Sequence, residues 1–194
     1  MGVFQLGDLQ RQKAAHYFEL IDGDDNGLIE PADFRRRADR LAEAFGVTDA
    51  DERDELRRHL MRWWEHLSTL ADANDDGRVT REEWEMYWTR FKVAVSMGSR
   101  SRSTENLERV ARATFRAIDR SGSGRVTADE FAAWLDAWDI DDHAMVFHRL
   151  DRDDTGVLTE QDLVEATREF YLSNDPEAPG TVLYGPLPDE APAL

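Results

Sequence analysis

Asp151-Arg152-Asp153-Asp154-Thr155-Gly156-Val157-Leu158-Thr159-Glu160-Gln161-Asp162 is a short acidic stretch whose pattern occurs four times in the chain. The other copies begin at Asp22, Asp72 and Asp119. Each opens with Asp, puts an oxygen-bearing side chain at its third and fifth places, and carries Gly at its sixth: Gly27, Gly77, Gly124 and Gly156. An aliphatic residue follows at the eighth place (Ile29, Val79, Val126, Leu158) and a carboxylate at the twelfth (Asp33, Glu83, Glu130, Asp162).

Coordination chemistry explains that spacing. A hard divalent cation such as Ca²⁺ takes about six to eight oxygens at roughly 2.3–2.6 Å, and a tight loop can supply them from alternate positions. Glycine at the sixth place allows a turn that a Cβ would oppose. The seventh place offers only its carbonyl, so Leu28, Arg78, Arg125 and Val157 need share nothing. These are the marks of an EF-hand calcium loop. The ligands it implies are Asp22, Asp24, Asn26, Leu28 and Asp33 in loop one, and Asp72, Asn74, Asp76, Arg78 and Glu83 in loop two. Loop three offers Asp119, Ser121, Ser123, Arg125 and Glu130, and loop four Asp151, Asp153, Thr155, Val157 and Asp162. The ninth residues Glu30, Thr80, Thr127 and Thr159 can act directly or through water. Only loop two fits the strict consensus. Asp33 and Asp162 are a methylene shorter than Glu, which lowers the oxygen count and makes loops 22–33 and 151–162 the more Mg²⁺-tolerant.

A capping box is the bland reading of Thr80…Glu83 and Thr127…Glu130. It explains the last four places of those loops and nothing upstream.

Helical periodicity surrounds the loops. Leu9, Ala14, Tyr17, Phe18 and Ile21 predict a helix over 8–21, and Phe34, Ala38, Leu41 and Phe45 a second one begun at Pro31. Arg53–Leu70 forms the next, with Leu56, Leu60, Trp63, Trp64 and Leu67 inward; Ser68 and Ala71 replace the aromatic and aliphatic residues found at those places elsewhere, Phe18/Ile21, Phe115/Ile118 and Phe147/Leu150. Trp84, Tyr87, Trp88 and Phe91 line a helix over Arg81–Ser96. Met97–Ser103 reads as a hinge, after which Thr104 caps a helix with Leu107, Val110, Ala111, Phe115 and Ile118 inward. Phe131, Trp134, Leu135 and Trp138 mark its partner, Asp139–Asp142 begins the fourth entering helix, and Leu163 to Phe170 leads out of loop four.

The expected fold is all-α: four EF-hand helix–loop–helix units in two pairs, forming a compact body. Residues 1–97 hold the first pair, 98–173 the second, and 174–194 a tail whose Val182, Leu183 and Tyr184 dock in a groove of the body.

Composition narrows the function. Among 194 residues the formal net charge is −17, which argues against nucleic acid as a partner. With 41% hydrophobic residues, six Trp and nine Phe, the chain has ample core material, unlike an acidic disordered segment. There is no Cys, hence no disulfide or thiolate metal site. No apolar run suggests a membrane span, and the first residues do not resemble a secretion signal; Leu6 stands where an N-myristoylation motif needs Ser or Thr. A cytoplasmic monomer is expected. His16, His59, His66, His143 and His148 form no HExxH or i,i+4 pair, and no nucleophile–base arrangement supports an enzyme.

Four hands, a long first interval and a Trp-rich second hand accompany a distinctive tail. It runs from Phe170-Tyr171 through Asp175-Pro176 and Pro179-Gly180 to Leu183-Tyr184-Gly185-Pro186-Leu187. Together these resemble the calerythrin and sarcoplasmic calcium-binding protein family of actinobacteria and invertebrates. The resemblance implies a compact helical body and a cytoplasmic calcium buffer or transporter without catalytic activity. Members often have one degenerate hand, commonly the second; here no loop is visibly broken. The alternative is a sensor that changes shape on binding Ca²⁺ and engages a target protein. Sensors display Met-rich grooves, whereas Met61, Met86, Met97 and Met145 do not cluster in this sequence. A protein scaffold with merely structural ions is a third reading.

Overall fold

Each acidic loop ends one helix and starts the next. The computed structural model describes residues 5–96 and 102–188. In chain order the elements are α1 (Asp8–Ile21), β1 (Leu28–Ile29), α2 (Pro31–Ala44), α3 (Ala50–Ala71), β2 (Val79–Thr80) and α4 (Arg81–Ser96). There follow α5 (Arg102–Ile118), β3 (Val126–Thr127), α6 (Ala128–Asp136), α7 (His143–Leu150), β4 (Val157–Leu158), α8 (Glu160–Leu172) and a 3₁₀ turn at Pro179–Val182. The fold is the all-α, paired EF-hand architecture that the loops predict.

The entering helices stop in one manner. The N–H of each loop's first Asp closes the last helical turn, donating at 2.9 Å to the carbonyls of Phe18, Ser68, Phe115 and Phe147. Beyond it the backbone leaves helical geometry, with ψ of 77° at Asp22, 96° at Asp72 and 79° at Asp151. The aliphatic eighth residues then pair across hands. Ile29 stands opposite Val79, and Val126 opposite Leu158, in two antiparallel bridges. All four side chains are buried. Neither bridge is long enough to be stable alone; the apolar contact beneath it is what holds two loops side by side.

One aromatic core runs through both pairs. Tyr17 of α1 lies 5.9 Å from Trp84, 6.0 Å from Trp138 and 5.7 Å from Phe170, ring centre to ring centre. Trp88 of α4 stacks on Tyr171 of α8 at 4.7 Å. Two buried cations tie the halves together. Arg37 of α2 donates to the carbonyls of Leu20 and Ala137 and lies 4.4 Å above the Trp138 ring. Lys13, fully buried, donates at 3.1 Å to the carbonyls of Glu169 and Ser173, which close the last turn of α8. Both cations donate to carbonyls at helix ends, where intrahelical donors run out, although the Glu169 carbonyl also accepts from the Ser173 N–H at 2.9 Å.

The tail belongs to this core. Leu183 and Tyr184 are buried, and Val182 is partly so. The Tyr184 ring stacks on Tyr17 at 4.3 Å and meets Phe170 at 4.9 Å. Gly180 lets the turn approach α8: a Cβ there would come within 2.2 Å of the Ala166 carbonyl oxygen. Its N–H donates to Glu169 Oε2 at 2.7 Å, while Gln12 Nε2 reaches the Pro188 carbonyl at 2.6 Å.

Several local expectations need correction. The third entering helix begins at Arg102, so Thr104 is a buried residue inside its first turn and not its cap. Val110 on that helix is exposed, because the inward stripe follows Leu107, Ala111, Phe115 and Ile118 and leaves no room for a fifth position. The hinge expected at Met97–Ser103 falls largely on residues 97–101, outside the described residues. Helix α3 starts at Ala50, where Asp49 caps it by accepting from the N–H groups of Asp51 and Glu52 at 3.0 Å. Asp139–Asp142 is a connection, not a helix start. Asp139 takes φ of 57°, and Ile140 returns to the core beside Gly185 of the tail. Among the described residues, no helix is long and apolar enough to cross a membrane.

Candidate metal centres

All four loops share one hydrogen-bond frame. The first Asp accepts from the N–H groups of the fifth and sixth residues: Asn26 and Gly27 to Asp22, Asp76 and Gly77 to Asp72, Ser123 and Gly124 to Asp119, Thr155 and Gly156 to Asp151. These eight bonds span 2.7–3.2 Å. The chain can turn back on itself because the sixth-place glycines all have φ between 76° and 83°. A second left-handed residue precedes each of them by two places: Asp25, Asp75, Gly122 and Asp154, with φ of 54°, 62°, 67° and 52°. Sequence reasoning passed over this fourth place. Its signal was available, since Asp, Asn and Gly tolerate that backbone best.

The twelfth carboxylate closes the ring. Glu83 accepts from the N–H of Ala73 at 3.1 Å and from the N–H and hydroxyl of Thr80 at 2.9 Å. Glu130 does the same with Ser121 and Thr127. Asp33 bridges the N–H groups of Gly23 and Glu30 at 3.2 and 2.7 Å. In loop four Asp162 accepts from Thr159 alone among the described residues, at 2.8 Å from N–H and 2.6 Å from hydroxyl. The ninth-place threonines thus act as helix caps, which is the capping box superposed on the loop.

The remaining candidate ligand residues converge unequally. In loop three the Ser121 and Ser123 hydroxyls turn to Asp119 at 3.2 and 3.4 Å, and Ser123 also donates to the Arg125 carbonyl at 2.9 Å. Loop four repeats this, with Thr155 bridging Asp151 and the Val157 carbonyl at 3.3 and 3.1 Å; Asp153 is exposed. In loop two Asn74 donates to Asp76 at 3.2 Å, and Arg78 lies exposed with its Nε 3.7 Å from Asp76. In loop one Asn26 donates to Glu30 at 3.4 Å and accepts from the Leu28 N–H at 2.8 Å.

Loop one fits a divalent cation most directly. Asp22, Asp24 and Asp33 bring carboxylate oxygens within 4.8 Å of one another, the one such trio among the described residues. Oxygens around a single Ca²⁺ lie about 5 Å apart at most, given bond lengths of roughly 2.3–2.6 Å. Electrostatics agree with that crowding. Burial, with the neighbouring charges of Asp33 and Asp24, raises the Asp22 pKa against the pull of its two N–H donors. Elsewhere the frame wins. Burial opposes the charge on Glu83, Asp119, Glu130 and Asp151, yet the hydrogen bonds they accept hold each below its ordinary pKa. They remain anionic across the neutral range.

Comparison with known proteins points the same way. The family model described as EF hand matches residues 70–86 and 111–135. Calerythrin of Saccharopolyspora erythraea is 31% identical over 158 residues, covering 80% of this chain and 88% of that protein. The alpha chain of the sarcoplasmic calcium-binding protein of Penaeus vannamei is 28% identical over 184 residues, 87% of this chain and 90% of its own. A solved calcium-binding protein of Streptomyces coelicolor, described in terms of prokaryotic calcium-mediated regulation, superposes with a TM-score of 0.66. It is 25% identical, and the match covers 86% of this chain and 99% of the other.

Proposed function

Because the chain belongs to the family of calerythrin and the sarcoplasmic calcium-binding proteins, we propose that it is a non-enzymatic Ca²⁺ buffer or transporter that takes up the ion in its four loops. It works as a monomer. In this reading the five side-chain and carbonyl ligands of each loop replace the water around the ion. The N–H groups now bound to the first Asp and twelfth carboxylate hold those oxygens aimed at one point. Mg²⁺ competes chiefly at loops one and four.

The seated tail carries the choice of buffer over sensor. Tyr184 fills the space between Tyr17, Trp138 and Phe170, the kind of interior surface a sensor must uncover for a target helix. A protein already occupying its own groove gains little by opening. The exposed methionines Met86 and Met145 sit on α4 and α7, in opposite halves, and form no obvious docking strip. The Streptomyces coelicolor neighbour, described in terms of regulation, favours the sensor as second reading.

Titration calorimetry with Ca²⁺, alone and over millimolar Mg²⁺, tests the first part. The wild type should bind, and Asp22→Ala, Asp72→Ala, Asp119→Ala and Asp151→Ala combined should not. Binding retained in that variant would refute the ligand assignment. A hydrophobic dye separates the two roles: its fluorescence should stay level or fall as Ca²⁺ is added to a buffer, and rise with a sensor.

A further inference from the structure

Arg36 stands where the other three hands have no cation. It lies one helical turn beyond Asp33 on α2, and the corresponding places after loops two to four are Met86, Ala133 and Glu165. Its guanidinium Nη2 pairs with Asp33 Oδ1 and lies 3.0 Å from Asp24 Oδ2. These are the third- and twelfth-place ligands of loop one. Asp33 is buried to 1% side-chain exposure, whereas Arg36 keeps 42%, so the guanidinium reaches into the carboxylate trio from the solvent side.

We propose that Arg36 is a built-in counter-cation that sets the Ca²⁺ threshold of loop one. The inference rests on the reading of the loops as calcium sites. Two effects act in the same direction. Asp24 and Asp33 must release Arg36 before their oxygens can turn to the ion, and a guanidinium left nearby repels the incoming charge. Without the ion, Arg36 neutralises part of a trio that would otherwise push itself apart. Loop one is therefore weakened in affinity but kept folded, and it fills at higher Ca²⁺ than its carboxylate count implies.

Amide NMR of the full chain during a Ca²⁺ titration tests this loop by loop. The N–H groups of Gly27, Gly77, Gly124 and Gly156 each donate to their own loop's first Asp, so each resonance reports one site. In Arg36→Gln the Gly27 midpoint should fall about threefold to tenfold, the range set by losing two partly exposed ion pairs, with the other three glycines unchanged. Arg36→Lys, which keeps the charge but not the fork, should lie between. An unchanged Gly27 midpoint, or an equal shift of all four glycines, would overturn the proposal. A weaker loop one in Arg36→Gln would also overturn it, by making Arg36 a support for the ligands instead of a rival. If Gly27 answers Ca²⁺ in neither protein, the calcium reading of loop one fails along with it.

Discussion

Truncating Tyr184 to Ala should be among the most costly single changes in the chain, although it lies in what resembles a loose tail. The residue is 9% exposed, its ring stacked on Tyr17 at 4.3 Å and packed edge-on against Phe170 at 4.9 Å and Trp138 at 5.7 Å. Removing a buried aromatic of this size costs about 3–5 kcal/mol, the lost transfer energy plus the cavity left behind. That is a large part of the roughly 5–15 kcal/mol that holds a domain folded. In a chain of this length each kcal/mol moves Tm by about 2–4 °C, so a fall of about 6–20 °C is expected. The Tyr184 hydroxyl lies 3.4 Å from that of Tyr17, a weak contact, and Tyr184→Phe should cost about 1 kcal/mol or less. Urea unfolding at saturating Ca²⁺ gives the energies, and hydrophobic-dye fluorescence of the folded protein reports whether the groove has opened. A loss below about 1 kcal/mol for Tyr184→Ala, with no added dye binding, would mean that the tail is not a core element, and the argument for a self-occluded buffer would collapse with it.

Two further outcomes follow from the structure. Burial lowers the Lys13 pKa from 10.5 to about 8, against the opposing charges of Glu169 and Asp175. Between those values the unfolded chain binds the proton that the folded one has released, so stability should rise with pH, by at most about 3 kcal/mol. Urea midpoints between pH 8 and 10, before the tyrosines intervene, should show the rise, and Lys13→Met should flatten it; a flat wild-type profile would refute the assignment. At the twelfth places, Asp33→Glu and Asp162→Glu should each reduce Mg²⁺ competition in a Ca²⁺ titration, since Glu can reach the ion with both oxygens. Unchanged competition would mean that the backbone, not the twelfth residue, sets selectivity.

Much of the molecule was legible in the chain because its chemistry is local. Oxygen spacing, a turn glycine and an aliphatic eighth place all lie within twelve residues, and no distant contact can alter which of them are present. The same holds for helix faces such as Phe34–Ala38–Leu41, whose period is set by the helix itself. Where the sequence misled, a tertiary contact made the choice. Val110 continues an apolar stripe but faces water, and Ile140 turns back to the core beside Gly185 where acidic residues around it suggested a helix start. Lys13 and Arg37 carry no sign of burial in the sequence and yet are buried, because only in three dimensions do the ends of α8, α1 and α6 come to them. Arg36 carries no mark in the sequence either, until the turn of α2 puts it over Asp24 and Asp33. The sequence by itself determined four EF-hand loops, their helices and their kinship. Tertiary structure alone decided which charges sit inside, how the halves share one aromatic core, and that Tyr184 fills it, since those depend on groups far apart in the chain meeting at close range.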